Sequence, residues 1–508
     1  MAALVTRPAA RGKGKQALVS LAPRAYLGGR QLRQETGLVI SNIADGLVRG
    51  VERASDTVSQ TLFEPVIRLG VTGLARSGKT VFITSLVANL LDRGRMPGLT
   101  AAQQGRIEAA FLQPQPDDTL PRFDYETHLS ALTSATPHWP DSTRAISELR
   151  LSLRVRPEGL LSGLKGSRTV HLDIVDYPGE WLLDLALLDK SYDAWANDTL
   201  ARLGGRACAQ NFMEHARLTD PDAPHDEAQA QDLAKLFTAY LQDARGQGYS
   251  DCTPGRFLLP GDLEGSPVLT FAPIPLAGAS KRHSLHREME RRFEAYKARV
   301  VKPFFRDHFS RIDRQVVLVD ALGAINAGPQ AVEDMRKAMA EILGAFRPGR
   351  NAFLTRLLRG RRVGRILFAA TKADHLHHTQ HPRLTAIIEA LTRDARDRAR
   401  FAGAQTSALS IASLRATTEE IHRHEGRDLP CVRGTLSETG KAAAFYPGEL
   451  PQDPARLLGA ARDGAETWLD ADYQVMSFAP ATLSSKPGDG PPHIRLDRAA
   501  EFLIGDRL

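Results

Sequence analysis

Three cysteines among 508 residues, Cys208, Cys252 and Cys431, lie far apart with no C-x-x-C pair. That excludes a disulfide framework and a cysteine-based zinc site, and fits a reducing cytoplasm. Long apolar runs are also missing. The longest, such as ILFAA around Leu367, fall well short of the roughly 18 residues a membrane-spanning helix needs, and read as buried strands. Aromatic residues make up only 6% and are not interleaved with the basic ones, so no stacking platform is evident and no nucleic-acid partner is expected. Acidic residues are absent from positions 1 to 34, which hold Arg7, Arg11, Lys13, Lys15, Arg24, Arg30 and Arg33. This arm accounts for the whole net charge of +7. With Ala, Gly and Pro between the charges it reads most simply as a solvated tail. A rival reading is attraction to an anionic lipid surface or an acidic face of a membrane protein, which would place the chain at the periphery of an inner membrane; a transit peptide is a third.

What is present is the balance of a globular protein, 42% hydrophobic and 25% charged, in a chain long enough for two or three packed units. After the arm (1–35), residues 36–60 carry apolar side chains at helical spacing and predict an amphipathic helix, packed on the protein's own core or, alternatively, on a membrane surface. Strand-like runs follow at Val66–Thr72, Ile146–Val155, Thr169–Asp176, Arg314–Ala321, Gly364–Thr371 and Ser407–Leu414. Several are almost wholly apolar, as strands covered on both faces must be, and helical patterns separate most of them. The expected class is α/β, a doubly wound sheet of the P-loop type in two parts, 61–185 and 314–415. A helical insertion is expected at 186–313. The remainder, 416–508, should be a β-rich subdomain, with short strands in CVRGTLSETGKAAAFYPGELP and YQVMSFAP and a closing helix IRLDRAAEFLIG.

The chemistry is concentrated in four short segments. GLARSGKT, from Gly73 to Thr80, follows an apolar strand and opens a helix, the context in which this spacing grips a polyphosphate. Gly73 and Gly78 permit the tight turn, and amides of the run Ala75, Arg76, Ser77, Gly78, Lys79, Thr80 and Val81 would surround the phosphates. Lys79 should reach the β and γ phosphates, and Thr80 should place its hydroxyl on Mg²⁺. DIVDYPGE ends the third strand in D-x-x-G: Asp176 would hold Mg²⁺ through water and the Gly179 amide would sense a γ-phosphate. TKAD ends the fifth strand, with Thr371 as tether, Lys372 along a purine ring and Asp374 accepting from guanine N1 and N2. SALSIASLRAT ends the sixth in Ala412, Ser413 and Leu414, whose backbone could contact guanine O6. Thr143 is the candidate switch threonine that closes on Mg²⁺, with Ser142 as fallback. Together these are the fingerprint of a GTPase binding GTP or GDP with Mg²⁺.

The segments GLARSGKTVFITSLVANLL, ATPHWPDSTRAISELRLSLR, DIVDYPGEWL, FAATKADHLHH, LSIASLRAT and IRLDRAAEFLIGDRL resemble the YcjX-like family of bacterial stress-associated proteins, from about Leu62 to Leu508. The resemblance implies a GTPase-fold domain with a helical insertion, GTP or GDP with Mg²⁺, and an association with envelope stress and a membrane-protein neighbour. Members are also labelled ATPases, so an ATP-dependent enzyme and a nucleotide-binding scaffold without turnover stand as rivals to a slow GTP-hydrolysing switch. Slow turnover is expected because Glu180, followed by Trp181, occupies the place where fast enzymes often carry a water-orienting glutamine. The cation for the transition state would be Arg144, with Arg76 as runner-up.

Two further features invite other readings. His375, His377, His378 and His381 follow TKAD without an acidic or cysteine ligand in sequence, so a solvated loop is expected rather than a metal site. From Ile342 to Ala373 there is no acid, and Arg347, Arg350, Arg356, Arg359, Arg361, Arg362 and Arg365 surround a few apolar residues. An exposed basic face is expected there, with docking to an acidic partner or lipid headgroups as the rival.

Overall fold

Seven strands form the main sheet of the computed structural model, which describes residues 64–73, 76–141, 145–158, 166–275, 280–344, 363–401, 403–463, 474–483 and 486–508. The expected arm at 1–35 and helix at 36–60 lie outside the described residues, as do Ala75, Ser142, Thr143, Arg144 and the arginines from Arg347 to Arg362.

The strands are β1 (Val66–Gly73), β2 (Ile107–Gln113), β3 (Ser147–Val155), β4 (Arg168–Asp176), β5 (Arg314–Val319), β6 (Arg365–Ala370) and β7 (Gln405–Ser410), in the spatial order β2-β3-β4-β1-β5-β6-β7. From β4 across to β7 neighbouring strands are parallel. By contrast β3 runs antiparallel to both β4 and β2, so the sheet is mostly parallel but mixed. The edge strand β2 has no counterpart in the sequence reading. Its residues IEAAFLQ are largely half-exposed, interrupted by a bulge between Ile107 and Ala109, and rich in helix-favouring types.

The helices that frame the site are α1 (Lys79–Leu91), α2 (Tyr192–Leu203), α3 (Glu227–Gly246), α4 (Leu285–Tyr296) and α5 (Leu496–Ile504). Each face of the sheet has its own apolar layer. Ile67, Leu69 and Val71 of β1 and the leucines of β3 pack against α1 and α5. On the other face Val317, Val319 and Phe368 join one continuous cluster with α2, α3 and α4, in which Trp195 stacks on Phe293 at 5.0 Å. The helices between β4 and β5 therefore share one continuous apolar cluster with this face of the sheet. In α3 the stripe is Ala230, Leu233, Ala234, Phe237, Tyr240, Leu241 and Ala244, the three- and four-residue spacing of a one-sided helix.

Beyond β7, β8 (Thr418–His424), β9 (Arg427–Thr435) and β10 (Ala442–Phe445) make an antiparallel sheet in the order β10-β9-β8. The described residues of YQVMSFAP, 474–480, contribute no strand to it. They are tied by a bridge between Leu436 and Phe478, with the Ser437 amide donating to the Ser477 carbonyl at 2.9 Å.

Within the helical layer, burial pushes the Asp184 carboxyl up to about 7, against hydrogen bonds from Tyr296 and the Gly255 amide. A folded-state value above the unfolded 3.8 means that the folded form holds the proton more tightly. This group's contribution to stability is complete below pH 3.8 and declines as pH rises toward about 7. Asp184→Asn, which carries no titrating proton, should flatten the fall in melting temperature between about pH 4 and 7, followed by circular dichroism. An unchanged slope would remove Asp184 from the pH response.

Candidate functional site

The loop after β1 turns tightly because two glycines allow it. A Cβ on Gly73 would collide with Ser77 Oγ and lie 2.9 Å from the Leu318 carbonyl, while Gly78 has φ +76°, the left-handed region. Arg76 sits at φ 62° without a glycine's freedom, a local strain of the kind that marks ligand loops. Gly78 then starts α1 with no side-chain cap, which leaves the first amides of the helix, with the positive end of its dipole, to an anion. Gly73, Arg76, Ser77, Gly78, Lys79, Thr80 and Val81 all line a cavity of about 350 Å³.

Lys79 crosses to the end of β4, where its Nζ donates to Asp176 Oδ1 at 2.7 Å. Asp176 is fully buried, and its Oδ2 has no hydrogen-bond partner among the described residues. An orphaned carboxylate oxygen next to the phosphate loop fits a hydrated divalent cation, which would supply it with a partner. Gly179 begins a short helix, Gly179–Leu183, and is buried, while its neighbours Pro178 and Glu180 face the cavity. The helical layer fixes this segment closely. A Cβ on Gly255 would come within 2.5 Å of the Glu180 carbonyl and Arg256 lies 3.4 Å over the Trp181 ring, while on the sheet side Gln315 of β5 accepts the Tyr177 hydroxyl at 2.6 Å.

The far wall of the same cavity comes from the ends of β6 and β7. Thr371 donates its amide to the Val319 carbonyl at 3.0 Å, which ties TKAD to β5. Lys372 has φ 60° and pairs with Asp320, the residue that caps the helix after β5. Asp374 is buried, and its Oδ2 accepts the Ala416 amide at 2.8 Å, so the orientation of its carboxylate is set. Thr371, Lys372, Asp374, Ala412, Ser413 and Leu414 line the cavity. The strand end at Ala412 is held in turn by residues ahead of α5: Ala412 and Ile494 exchange backbone bonds at 3.1 and 2.8 Å, and Asn89 of α1 donates to the Pro491 carbonyl at 3.0 Å.

The histidines after TKAD differ from the expected solvated loop. His375, His377 and His381 are buried, and only His378 is exposed. His381 bonds the carbonyls of Ala373 and Leu376 at 2.8 and 3.2 Å and so braces the base loop. Burial pushes His375 down, and its ring meets Phe478 edge-on at 5.2 Å. An acid does accompany them in space. Glu419 of β8 lies 2.6 Å from His378 and 3.8 Å from His377, and its other oxygen faces Arg415 at 3.6 Å.

Several cavity residues had no signal in the sequence. Trp139 and Pro140 close one side, and the Trp139 indole donates to the Phe478 carbonyl at 2.8 Å. Ser437, Ser477 and Phe478 come from the C-terminal part, and Arg245 and Leu259 from the helical layer. Trp139 and Pro140 lie in the segment ATPHWPDSTRAISELRLSLR without a role assigned to them there, and the others are delivered by tertiary packing.

Residues 67–508 match the family described as "YcjX-like family, DUF463". A protein of Escherichia coli (strain K12) named "Ras-like GTPase YcjX" is 41% identical over 458 residues, covering 87% of this chain and 96% of that protein. A protein of Shewanella oneidensis with the same name is 36% identical over 468 residues, covering 87% and 94% respectively.

Proposed function

The chain belongs to the YcjX-like family, and from that premise we propose that it binds GTP, hydrolyses it slowly, and passes the state of the nucleotide to its helical layer. The convergence of the phosphate loop, TKAD and Ala412–Leu414 on one cavity carries this reading. Three separate strand ends supply the complementary parts of a single ligand, as expected at the carboxyl edge of a parallel sheet. The α1 amides and Lys79 meet the phosphates, Asp374 accepts from guanine N1 and N2, and the backbone at Ala412 and Ser413 faces O6.

Thr80 and Asp176 would hold Mg²⁺, which when bound neutralises charge on the β and γ phosphates. Thr143 is proposed to close on that ion; Trp139 and Pro140, shortly before it in the chain, line the cavity. The Gly179 amide reads the γ-phosphate, and because Glu180 and Trp181 are packed against Gly255 and Arg256, any shift of this segment moves the helical layer. Slow turnover follows from a carboxylate at position 180 in place of a water-orienting amide.

Calorimetric titration of the full chain with GTP, GDP and ATP in Mg²⁺ buffer, with phosphate release in parallel, tests the reading. GTP and GDP should bind at least about a hundredfold more tightly than ATP, the order expected when a buried acceptor rejects the wrong base edge. Equal affinity for ATP would overturn the base assignment, and tight binding without phosphate release would leave a scaffold.

A further inference from the structure

We infer that Arg245 is the arginine that meets the γ-phosphate during hydrolysis, supplied by the chain's own helical layer, and that Glu180 holds it while no triphosphate is bound. The inference rests on the GTP reading above. Arg245 lies in the last turn of α3, whose apolar stripe is fixed in the core through Ala244. Its side chain, 27% exposed, lines the nucleotide cavity together with Arg76 and Lys79 and stands 3.2 Å from Glu180 Oε1. Glu180 directly follows the glycine whose amide would sense the γ-phosphate.

The other basic groups of the wall are less suited to the task. Lys79 is paired with Asp176 and belongs with the ground-state phosphates; Lys372 is paired with Asp320 beside the base loop. Arg76 is exposed on the loop itself. Arg245 is partly desolvated, which strengthens its field at the phosphates. The contact that restrains it is loose, because Glu180 Oε1 is buried yet receives no hydrogen bond of good geometry among the described residues. An arriving γ-phosphate repels the Glu180 carboxylate and competes for the guanidinium, whose planar fork matches phosphate oxygens.

The step itself balances without a further reactant. A water oxygen bonds to the γ-phosphorus and the bond to the β,γ-bridging oxygen breaks, its electron pair remaining on the β-phosphate of GDP. One water proton stays on orthophosphate and the other leaves to solvent. Arg245 forms no covalent bond; it donates N–H groups to oxygens that gain charge as the bond breaks.

Single-turnover hydrolysis at saturating GTP, with GDP affinity and capture of a GDP–aluminium fluoride complex as companion readouts, decides the matter. Arg245→Ala should slow hydrolysis by at least about a thousandfold, at the modest end for such arginines. GDP affinity should stay within about threefold, because the contact is made to the transferring group, and the fluoride complex should be lost. Arg245→Lys keeps a cation beside Glu180 but loses the fork, and should still slow hydrolysis by roughly tenfold or more; it serves if the alanine variant folds poorly. A near-wild-type rate in both Arg245 variants would overturn the assignment. A slower rate in Arg245→Ala with fluoride capture intact and a lowered melting temperature would make the pair a structural brace. A wild-type protein that binds GTP but releases no phosphate would instead overturn the hydrolytic reading beneath it.

Discussion

Lys79→Ala should lower triphosphate affinity by at least about a hundredfold, because it removes charge-assisted hydrogen bonds worth roughly 1.5–3 kcal/mol each from two phosphate groups. The ammonium also has a second role in the fold, since it is the partner of Asp176 Oδ1 at 2.7 Å. With Oδ2 already unpartnered among the described residues, the variant would leave a fully buried carboxylate without its counter-charge, a loss of up to about 3–5 kcal/mol for such pairs. Melting temperature should therefore fall together with affinity, and Lys79→Ala combined with Asp176→Asn should recover stability without recovering binding. Titration with a fluorescent GTP analogue and thermal unfolding separate the two effects. Unchanged affinity in a folded Lys79→Ala protein would mean that the loop after β1 is not the phosphate site.

Asp374→Asn should weaken guanine binding about ten- to a hundredfold, the cost of leaving polar groups at the base edge unmatched, and should improve binding of xanthine nucleotides. The direction follows from one hydrogen bond. The Ala416 amide donates to Asp374 Oδ2 at 2.8 Å, so an asparagine there would turn its carbonyl toward that amide and its NH₂ toward the base. The NH₂ can donate to the O2 of xanthine, whereas it confronts the donor on guanine C2. Competition of XTP and GTP for the variant reads the outcome, and an unaltered preference for guanine would move base recognition away from Asp374.

The phosphate loop, D-x-x-G and TKAD were legible because each is a contiguous run at the end of an apolar strand, and parallel strands carry such ends to a common edge. Local chemistry was enough. Strand direction was less legible: nothing in SELRLSLRV distinguishes an antiparallel β3 from a parallel one, since Leu149, Leu151 and Leu153 face the core in either case. Arg245, Trp139 and Phe478 were beyond reach for a different reason. A surface arginine at the end of a helix becomes part of a site only through the packing of that helix, and no spacing records it. Glu419 likewise meets His378 only because β8 returns beside the base loop. Thr143 and Arg144 lie outside the described residues.

The Trp139 indole, at once part of the cavity wall and donor to the Phe478 carbonyl, gives the protein an optical consequence. Trp181 and Trp195 are 3% and 1% exposed and enclosed by Arg256, Phe304 and Phe293, whereas Trp139 is 37% exposed. Indole emission depends on the polarity around the ring and on the bond its N–H makes. A ligand filling the cavity alters the first, and any opening of the segment that leads to Thr143 breaks the second. Among the described tryptophans, occupancy and closure thus converge on one fluorophore that nature has already installed, and stopped-flow emission can time the loading of the site without a label.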